Sequence, residues 1–478
     1  MIIARETTLT EKDPTLGYSM NVRNSGLRML LPISAIIALL GCHRPPQPEA
    51  TGTEARNVII ILVDTLRADH MSLYGYQRPT TPFIDHLATE SVVFERTRSQ
   101  AACTFPSVNS LLTSRYAFDF YRQGSGEMGI PGQYPSLAEI LRGKGYRTVA
   151  VSASPIVRAT GSKENPGGGF GGGFDVFDEA CLWNNAECVN KRALKLVRDL
   201  EEPFLLYLHY MDPHSHYATP RTYTKKFAGP YDGHDFIAAG EITPIENMLF
   251  ADGPEFEITD RDIQHLVDLY DDEIRYFDGQ LQELIEPWRD RGLLDRSLVV
   301  ITSDHGEEFL EHNQVGHCRG VWDTLTRVPL IMRFPRIEDG RRIDAPVQLV
   351  DVVPTLLDEL DFEVQGFTAE GVSLTELIEG RPPDRQYAYT DQGRYRATDD
   401  GRWQIILDGA ESTATLFNLP LDPLAQRDLF SGSHPEVERL RTALDRWLRE
   451  TGQSVNFDAA LAAGKAKEEE LRALGYLQ

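Results

Sequence analysis

Runs of consecutive apolar residues recur along the first 330 residues and alternate with amphipathic stretches. The run at 57–64, Asn-Val-Ile-Ile-Ile-Leu-Val-Asp, is rich in β-branched residues and lacks polar alternation. This pattern is typical of a strand that is buried on both faces. Similar runs occupy 145–152, 203–209 and 296–304. Such strands, separated by helical stretches, predict an α/β domain with a mainly parallel sheet flanked by helices.

Helical periodicity appears between these runs. The stretches that predict helices are 80–88, 134–142 with Ser136 as N-cap, 193–200, 260–288, 351–358 and 436–450. Beyond about residue 385 the pattern changes to shorter, alternating strands at 386–390, 403–407 and 415–418. We therefore expect a large domain over 57–384 and a smaller C-terminal α+β subdomain over 385–478. The polar stretch at 218–258 lacks periodicity and is expected to be an insertion or a lid.

The N-terminal segment has the features of a targeting signal. Arg23 and Arg28 precede an apolar stretch, 29–40, that is too short to span a bilayer. The segment ends in Leu-Leu-Gly-Cys42 and resembles a bacterial lipoprotein signal, in which the cysteine is lipidated and becomes the mature N-terminus. We expect residues 1–42 to be this signal, with Met20 as a possible start, and an ordinary secretory signal as the alternative.

The predicted lipid anchor determines the expected location. Residues 43–56 are rich in Pro, Glu and Thr and are expected to form a flexible tether. His43, where an Asp would favour the inner membrane, favours outer-membrane sorting. The expected location is the bacterial cell envelope, facing the periplasm.

Net charge and cysteine content restrict the partners and the disulfides. The formal net charge of −24 argues against a nucleic-acid partner and against a polybasic membrane surface. Apart from Cys42, four cysteines remain, an even number that favours pairing in an oxidising compartment. Cys181 and Cys188 are close enough in sequence to close a small disulfide loop. Cys103 and Cys318 are either bridged or free.

The stretch 99–115 places a hydroxyl and a proline directly before an apolar helical run. Pro106 suits the first turn of a helix, where a missing N–H costs nothing. Thr104 therefore lies just before a helix N-terminus, where free N–H groups favour an anion such as phosphate or sulfate. Taken alone, the stretch is equally compatible with an ordinary capped helix whose Leu111 and Leu112 face the core.

Two strand ends carry side chains that suit a metal ion. Asp64 ends the first buried run, and Asp304 and His305 end a later one. Ligands of open α/β sheets bind at the carboxyl ends of strands. Two carboxylates and an imidazole form a divalent-metal site that the hydroxyl of Thr104 can complete. A metal-activated Thr104 is then a candidate nucleophile on phosphorus or sulfur.

Further candidates lie on loops after the predicted strands. His214 and His317 could donate to the oxygens of a bound ester or protonate its leaving group. Arg67 and Arg319 are candidates for binding the anion. The alternative for each isolated histidine is a structural or surface role.

A family resemblance covers roughly residues 57–478. The stretches that carry it are Val63-Asp64-Thr65-Leu66-Arg67-Ala68-Asp69, Tyr74-Gly75-Tyr76, Arg78-Pro79-Thr80-Thr81-Pro82, Thr104-x-Pro106-Ser107 with Ser110-Leu111-Leu112-Thr113, Asp212-Pro213-His214, Thr302-Ser303-Asp304-His305-Gly306-Glu307, Arg327-Val-Pro-Leu330, Asp351-x-x-Pro354-Thr355, Leu416-Phe417-Asn418-Leu419 with Asp422-Pro423, and Leu471-Arg-Ala-Leu-Gly-Tyr-Leu477. Together they resemble the sulfatase family of the alkaline-phosphatase superfamily. The resemblance implies a catalytic domain over 57–384 and a metal held by Asp64, Asp304 and His305.

The chain departs from the sulfatase pattern at the nucleophile. Sulfatases carry Cys-x-Pro-x-Arg, whose Cys (sometimes Ser) becomes formylglycine, whereas this chain has Thr104-Phe-Pro-Ser-Val108 with Cys103 one place early. A threonine cannot become that aldehyde hydrate. A Thr nucleophile with an Asp-His pair is similar to the phosphoryl-transferring relatives, such as lipoteichoic-acid synthases and phosphodiesterases. Thr65 stands where the usual ligand pair has a second Asp.

The leading hypothesis is a lipid-anchored, sulfatase-like metallohydrolase that cleaves or transfers a sulfate or phosphate ester, with phosphodiesterase or phosphotransferase chemistry favoured. It implies one divalent metal ion (Mn, Zn, Ca or Mg), with His305 shifting the preference from calcium towards manganese or zinc. The expected substrate is a small anionic ester, a glycan or a lipid headgroup. The alternatives are a classical formylglycine sulfatase that uses Cys103, and a catalytically degenerate protein that binds an anionic glycan.

Overall fold

The computed structural model describes residues 56–121, 129–183, 185–233, 258–382, 385–453, 457 and 462. The strands are β1 (Asn57–Val63), β2 (Val92–Arg98), β3 (Arg147–Ser152), β4 (Val176–Asp178), β5 (Phe204–Tyr210), β6 (Ser297–Ser303), β7 (Glu308–Phe309), β8 (Val315–Gly316), β9 (Arg327–Arg333), β10 (Arg341–Gln348), β11 (Ala388–Gln392), β12 (Tyr395–Asp399), β13 (Trp403–Asp408) and β14 (Thr413–Asn418). The α-helices are α1 (Pro82–Leu87), α2 (Thr104–Thr113), α3 (Phe118–Tyr121), α4 (Leu137–Gly143), α5 (Ala186–Arg198), α6 (Asp260–Asp290), α7 (Asp323–Thr326), α8 (Val352–Glu359), α9 (Thr375–Ile378) and α10 (Pro435–Glu450).

Eight strands form the main sheet in the order β10-β2-β9-β6-β1-β5-β3-β4. Strand β1 pairs in parallel with both β5 and β6, and β9 is antiparallel to its neighbours β6 and β2. The predicted mainly parallel sheet flanked by helices is therefore confirmed. The three strands β5, β1 and β6 end at the same edge of the sheet, because parallel strands share their direction.

The two faces of β1 enter two different cores. Ile59, Ile61 and Val63 pack with residues of α5 and α6. Val58, Ile60 and Leu62 pack on the opposite face with residues of α2, α4 and α8. Because successive side chains of a strand point to opposite faces, a strand covered by helices on both sides must be apolar throughout. This explains the unbroken apolar run in the sequence.

The predicted helices are present with shifted ends. Ser136 caps α4 in a capping box with Glu139, as its position before the apolar stretch predicted. Helix α5 begins at Ala186, seven residues before the predicted start at 193. Helix α6 is 31 residues long and begins with a capping box of Thr259 and Asp262.

The C-terminal part forms a second, antiparallel sheet in the order β11-β12-β13-β14. Strand β12 was not among the predicted strands. Leu440, Leu444 and Trp447 of α10 pack on Ile405 and Leu407 of this sheet. Residues 51–478 form one compact unit, within which the small sheet is the predicted C-terminal subdomain.

Several predictions concern residues outside the described part of the chain. The lipoprotein signal with Cys42, most of the 43–56 tether and residues 234–257 of the predicted insertion lie there. Residues 218–233 of that insertion are described and contain neither helix nor strand. Within the described ranges no helix has both the length and the apolar composition needed to cross a bilayer.

Candidate active site

The ends of three adjacent strands bring four polar side chains together. Asp64 follows β1 and Asp304 follows β6, and the preceding residues Val63 and Ser303 are paired across the sheet. His209 lies in β5 beside Leu62 of β1. One ligand atom each from Asp64, His209 and Asp304 lies within 4.8 Å of the other two. All three side chains are buried.

His305 completes this group, which we call the strand-end cluster (Asp64, His209, Asp304 and His305). Its Nε2 lies 3.4 Å from Asp304 Oδ2 and 3.9 Å from Asp64 Oδ1. Asp64 Oδ1 and Asp304 Oδ2 are buried, and among the described residues no hydrogen-bond donor reaches either oxygen. Buried carboxylate oxygens without donors are costly unless a cation contacts them. The cluster therefore fits a divalent metal ion.

The charges of the cluster follow from burial and from its neighbours. Although burial favours the neutral acid, the hydrogen bond from His209 and the nearby histidines lower the pKa of Asp64 below its ordinary value. Burial and the charge of Asp64 raise the pKa of Asp304 well above its ordinary value. Burial and the charge of His317 lower the pKa of His305 to about 3. His305 is therefore neutral, as a metal ligand must be.

Second contacts orient the two imidazoles. Nδ1 of His305 lies 2.9 Å from the carbonyl oxygen of Gly306, to which it donates as an N–H. This leaves the lone pair on Nε2 directed into the site. Nδ1 of His209 lies 3.0 Å from Tyr207 Oη, and Nε2 of His209 lies 3.1 Å from Asp64 Oδ2.

Thr104 lies at the first residue of α2, as its place before Pro106 predicted. Its Oγ1 lies 3.2 Å from His305 Nε2, at the edge of the strand-end cluster. Ser107 of the next turn donates from Oγ to the backbone oxygen of Asp304 over 2.6 Å. This bond fixes the start of the helix against the end of β6. The predicted core residues Leu111 and Leu112 are buried.

His317 and His214 approach the cluster from two loops. The ring centroid of His317 lies 4.5 Å from that of His305 and 5.2 Å from that of His214. Nδ1 of His317 lies 3.0 Å from Oε1 of the buried Glu307. Because Glu307 binds Nδ1 of His317, the other ring nitrogen, Nε2, points away from this carboxylate. Both predicted histidines thus lie beside the strand-end cluster.

The two predicted anion-binding arginines have different surroundings. The Arg67 guanidinium is fully buried and forms ion pairs of 2.8 Å with Asp69 and 2.5 Å with Glu311. It also donates to the backbone oxygen of Glu307. This placement does not support the predicted role of Arg67 in binding an anion, because its donors are used within the protein. Arg319 is half-buried on the His317 loop.

Two disulfides lie next to the site. Cys181 and Cys188 are bridged, as their spacing predicted, with 5.8 Å between their Cα atoms. Cys103 and Cys318 are also bridged, with 4.9 Å between their Cα atoms. The second bridge connects the N-cap of α2, next to Thr104, to the loop that carries His317. A bridged Cys103 has no free thiol for conversion to formylglycine, which argues against the alternative of a classical formylglycine sulfatase that uses Cys103.

Sequence reasoning missed two residues of the site. His209 occupies a strand position in an apolar run, where a histidine looks like a core residue. Glu307 was quoted only within the Asp-His-Gly-Glu stretch, without a role. A polar side chain one residue before the end of a buried strand next to β1 was the available signal for His209.

Comparisons with known proteins agree on one family. Residues 56–362 match the family model described as Sulfatase. The chain is 28% identical to an uncharacterized sulfatase, YidJ, of Escherichia coli (strain K12) over 197 residues, which are 39% of this chain and 37% of that protein. The chain thus spans well under half the length of this relative.

Solved structures with the same fold include a phosphonate monoester hydrolase and a protein bound to a sulfated sugar. A phosphonate monoester hydrolase of Agrobacterium radiobacter superimposes with a TM-score of 0.67 at 18% identity, covering 83% of this chain and 95% of that one. A structure solved in complex with its substrate D-glucosamine-2-N,6-O-disulfate superimposes with a TM-score of 0.65 at 18% identity, covering 83% of this chain and 97% of that one. At this identity the likeness shows the fold alone.

Proposed function

The chain belongs to the sulfatase family, and from that premise we propose that it is a metal-dependent hydrolase of phosphate or sulfate esters with Thr104 as its nucleophile. One observation carries the proposal. The hydroxyl of Thr104 lies 3.2 Å from His305 Nε2, beside two buried carboxylate oxygens that no donor of the described residues reaches. Such a reaction needs a hydroxyl, an oriented imidazole and a cation site close to one another, and this site provides all three.

The strand-end cluster would hold the metal. A divalent ion there would make the Thr104 hydroxyl easier to deprotonate and would offset the negative charge of a bound ester. Two imidazoles beside two carboxylates favour zinc or manganese over calcium, which prefers an all-oxygen shell. His209 would strengthen this preference as a ligand through Nε2 if its proton moved to Nδ1, where it would be donated to Tyr207 Oη instead of to Asp64.

Thr104 would attack in line with the leaving alcohol. The Thr104 oxygen forms a bond to phosphorus (or sulfur) as the bond from that atom to the alcohol oxygen breaks. Thr104 would lose its proton to solvent as it attacks, and the alcohol would take a proton from His317 or His214. In the second step the deprotonated histidine would accept a proton from water, whose oxygen bonds to phosphorus (or sulfur) as the bond to Thr104 breaks, and the Thr104 oxygen would regain its proton from solvent. Glu307 supports His317 in this role because its carboxylate stabilises the protonated imidazole.

The anion would be bound by the start of α2 and by the His317 loop. Helix α2 has ten residues and begins at Thr104, so the positive end of its dipole lies at the same place as the Thr104 hydroxyl. Arg319 is the remaining candidate for a direct contact with the ester oxygens. We place this reaction in the cell envelope, because the N-terminal sequence through Cys42 resembles a lipoprotein signal.

Phosphate esters are favoured over sulfate esters. A formylglycine sulfatase needs an oxidisable Cys or Ser at the nucleophile position, and this chain has Thr104 there and a disulfide-bonded Cys103. Sulfate esters stay a second candidate because the family model and the disulfate-bound neighbour are those of sulfatases. A protein that only binds an anionic glycan would not need a nucleophile beside a cation site.

The test is turnover by protein reconstituted with zinc or manganese, offered an aryl phosphate, an aryl phosphodiester, an aryl phosphonate monoester and an aryl sulfate. We expect turnover of a phosphorus ester that falls about 10³-fold or more in Thr104→Ala. Thr104→Ser is the matched control, since it keeps a hydroxyl, and it should retain most of the activity.

Two outcomes would contradict the proposal. Unchanged turnover in Thr104→Ala would remove Thr104 as the nucleophile. Metal-loaded protein that binds but turns over none of the four esters would favour the glycan-binding alternative. Protein caught during turnover and digested to peptides should carry the phosphoryl group on the peptide that contains Thr104.

A further inference from the structure

A second cavity adjoins the site on the side of His214. Its volume is about 350 Å³, and its lining includes Trp183, Met211, Asp212, His214, His216 and Glu273. We call it the Trp183 cavity. His214 belongs to its wall and also stands 5.2 Å, ring to ring, from His317. The cavity therefore begins next to the two histidines proposed to protonate the leaving alcohol, on the side where the alcohol part of an ester attacked by Thr104 would lie.

The floor of the cavity holds two carboxyl groups from distant parts of the chain. Asp212 follows β5 and Glu273 lies in α6, and their side chains hydrogen-bond to each other. They are only 5% and 4% exposed. Asp212 Oδ2 and Glu273 Oε1 are buried, and no N–H or hydroxyl donor of the other described residues reaches them. Because the two carboxyls share a hydrogen bond, one of them holds a proton, and the pair presents one negative charge to a cavity that no Lys or Arg of the described residues lines.

The wall of the cavity is aromatic. Trp183 is 44% exposed, and its ring centroid lies 5.6 Å from that of His214 and 6.0 Å from that of His216. Trp183 lies within the small loop closed by the Cys181–Cys188 bridge. Its backbone N–H also donates to Ala153 over 2.9 Å. The indole is thus exposed at a fixed position, which is unusual for a side chain of this size.

The acid pair at the floor of the cavity faces two histidines on its wall, His214 and His216, and further charged residues lie behind the floor. Asp272 lies next to Glu273 in α6, and its carboxylate accepts the backbone N–H groups of 226–228. Lys225 is the cation that acts on Glu273, and it is exposed. An anionic group in the cavity would therefore meet like charges at short range, which excludes a second phosphate or sulfate from its floor.

We propose that the Trp183 cavity binds an organic ammonium group on the alcohol part of the substrate, with the hydrogen-bonded Asp212–Glu273 pair, which carries one negative charge, as its counter-ion and Trp183 as its aromatic face. A carboxylate and a tryptophan face together are the recognised partners of ammonium groups in proteins. The substrate would then be a zwitterionic ester, with its anion at the strand-end cluster and its cation in the cavity. The proposal rests on the proposed function, because that function places the ester at Thr104.

The test separates binding of the cation from turnover of the ester. Calorimetry on the metal-loaded, full-length protein compares 2-(trimethylammonio)ethanol with its uncharged analogue 3,3-dimethylbutanol, which has nearly the same shape. We expect the cation to bind at least about tenfold more tightly than the neutral alcohol. Turnover of an aryl ester, which has no ammonium group, is measured on the same protein and reports the proposed function alone.

Three variants locate the binding. Trp183→Ala and the double variant Asp212→Asn/Glu273→Gln, which removes the charge of the pair, should each weaken binding of the cation about tenfold and leave binding of the neutral alcohol unchanged. Trp183→Phe should retain part of the affinity, since a phenyl ring also presents a negative face. Glu283→Gln, which removes an exposed charge from the same helix, is the matched control and should bind like the parent protein.

Each outcome decides one of the two proposals. Equal affinity for the two alcohols, or cation binding unchanged in both Trp183→Ala and the double variant Asp212→Asn/Glu273→Gln, would overturn the ammonium site even if aryl esters are hydrolysed. Binding of a neutral monosaccharide in place of the cation would also overturn it. Cation binding that these variants weaken, in a protein that hydrolyses no ester, would support the site and contradict the proposed hydrolysis.

Discussion

The strand-end cluster and the loops around it are positioned by different means. Asp64, His209 and Asp304 lie in or directly after neighbouring strands, so the pairing of the sheet sets their separation. The surrounding rim, by which we mean Trp183, His214, His317 and Arg319, lies on loops that two disulfides and a few side-chain contacts hold. Backbone pairing therefore places the groups that would bind the metal, and covalent cross-links place the groups that would contact the rest of the substrate.

The largest effect should come from breaking the cluster. We expect Asp304→Asn to lower turnover about 10³-fold or more, because it removes one of two carboxylates from the cation site. The same change should raise the melting temperature of metal-free protein, since the repulsion between Asp64 and Asp304 is gone. Metal content by mass spectrometry and calorimetry of chelator-treated protein check the two signs. A lower melting temperature of metal-free Asp304→Asn protein would contradict the proposal that Asp304 belongs to a cation site.

The second prediction compares the two disulfides. Replacing Cys103 and Cys318 by serine opens a bridge that spans 215 residues of sequence, whereas the Cys181–Cys188 bridge spans 7. Loop entropy predicts losses in the free energy of unfolding of about 5 and about 2 kcal/mol. Only the long bridge joins the residue before Thr104 to the His317 loop, so its loss should also lower kcat about 30-fold with metal content unchanged.

Denaturant titration and steady-state kinetics on the two double variants measure these effects, and each variant is the control for the other. Equal losses of kcat would show that the Cys103–Cys318 bridge does not position the site. If the variant without the Cys103–Cys318 bridge lost metal as well as kcat, the rim would be needed to hold the strand-end cluster together. Strand pairing alone would then not place the metal-binding groups.

The contrast between residues placed by strand pairing and residues placed by tertiary contacts also explains which parts of the site could be predicted from the sequence. Asp64, Asp304 and His305 follow apolar runs at the ends of parallel strands, and Thr104 precedes a proline at a helix start, so local patterns located all four. The Asp212–Glu273 contact joins positions 61 residues apart through tertiary packing, which leaves no local pattern. The sequence suggested Arg67 as an anion-binding residue, but in the folded protein its guanidinium forms ion pairs with Asp69 and Glu311.

The third prediction concerns the acid pair in the Trp183 cavity. Burial raises the pKa of Asp212 to about 7, and burial with the charge of Asp212 raises the pKa of Glu273 well above its ordinary value. The folded protein therefore holds more protons than the unfolded chain between about pH 4 and pH 7, and its stability should fall as pH rises through this window. Glu273→Gln should reduce this fall and stabilise the protein at pH 8 by about 2 kcal/mol.

Denaturation midpoints between pH 5 and pH 8 measure the slope, with Glu283→Gln as the control on the same helix. The exposed Lys225 and the backbone-bonded Asp272 also face Glu273. An unchanged slope in Glu273→Gln would show that the Asp212–Glu273 pair is not the source of the loss of stability with rising pH.

The smallest effect should separate the two arginines. Arg319→Ala should raise KM for an anionic ester about tenfold at nearly constant kcat, as expected for a rim contact made equally in ground and transition states. Arg67→Lys should leave KM unchanged and destabilise the protein by about 1 kcal/mol, because a lysine cannot contact Asp69, Glu311 and the Glu307 carbonyl at once. Arg319→Lys, which keeps the charge, should recover part of the affinity. A KM that changes in Arg67→Lys but not in Arg319→Ala would assign anion binding to Arg67 instead of Arg319. The anion would then be bound by the buried Arg67 and not by a residue of the rim.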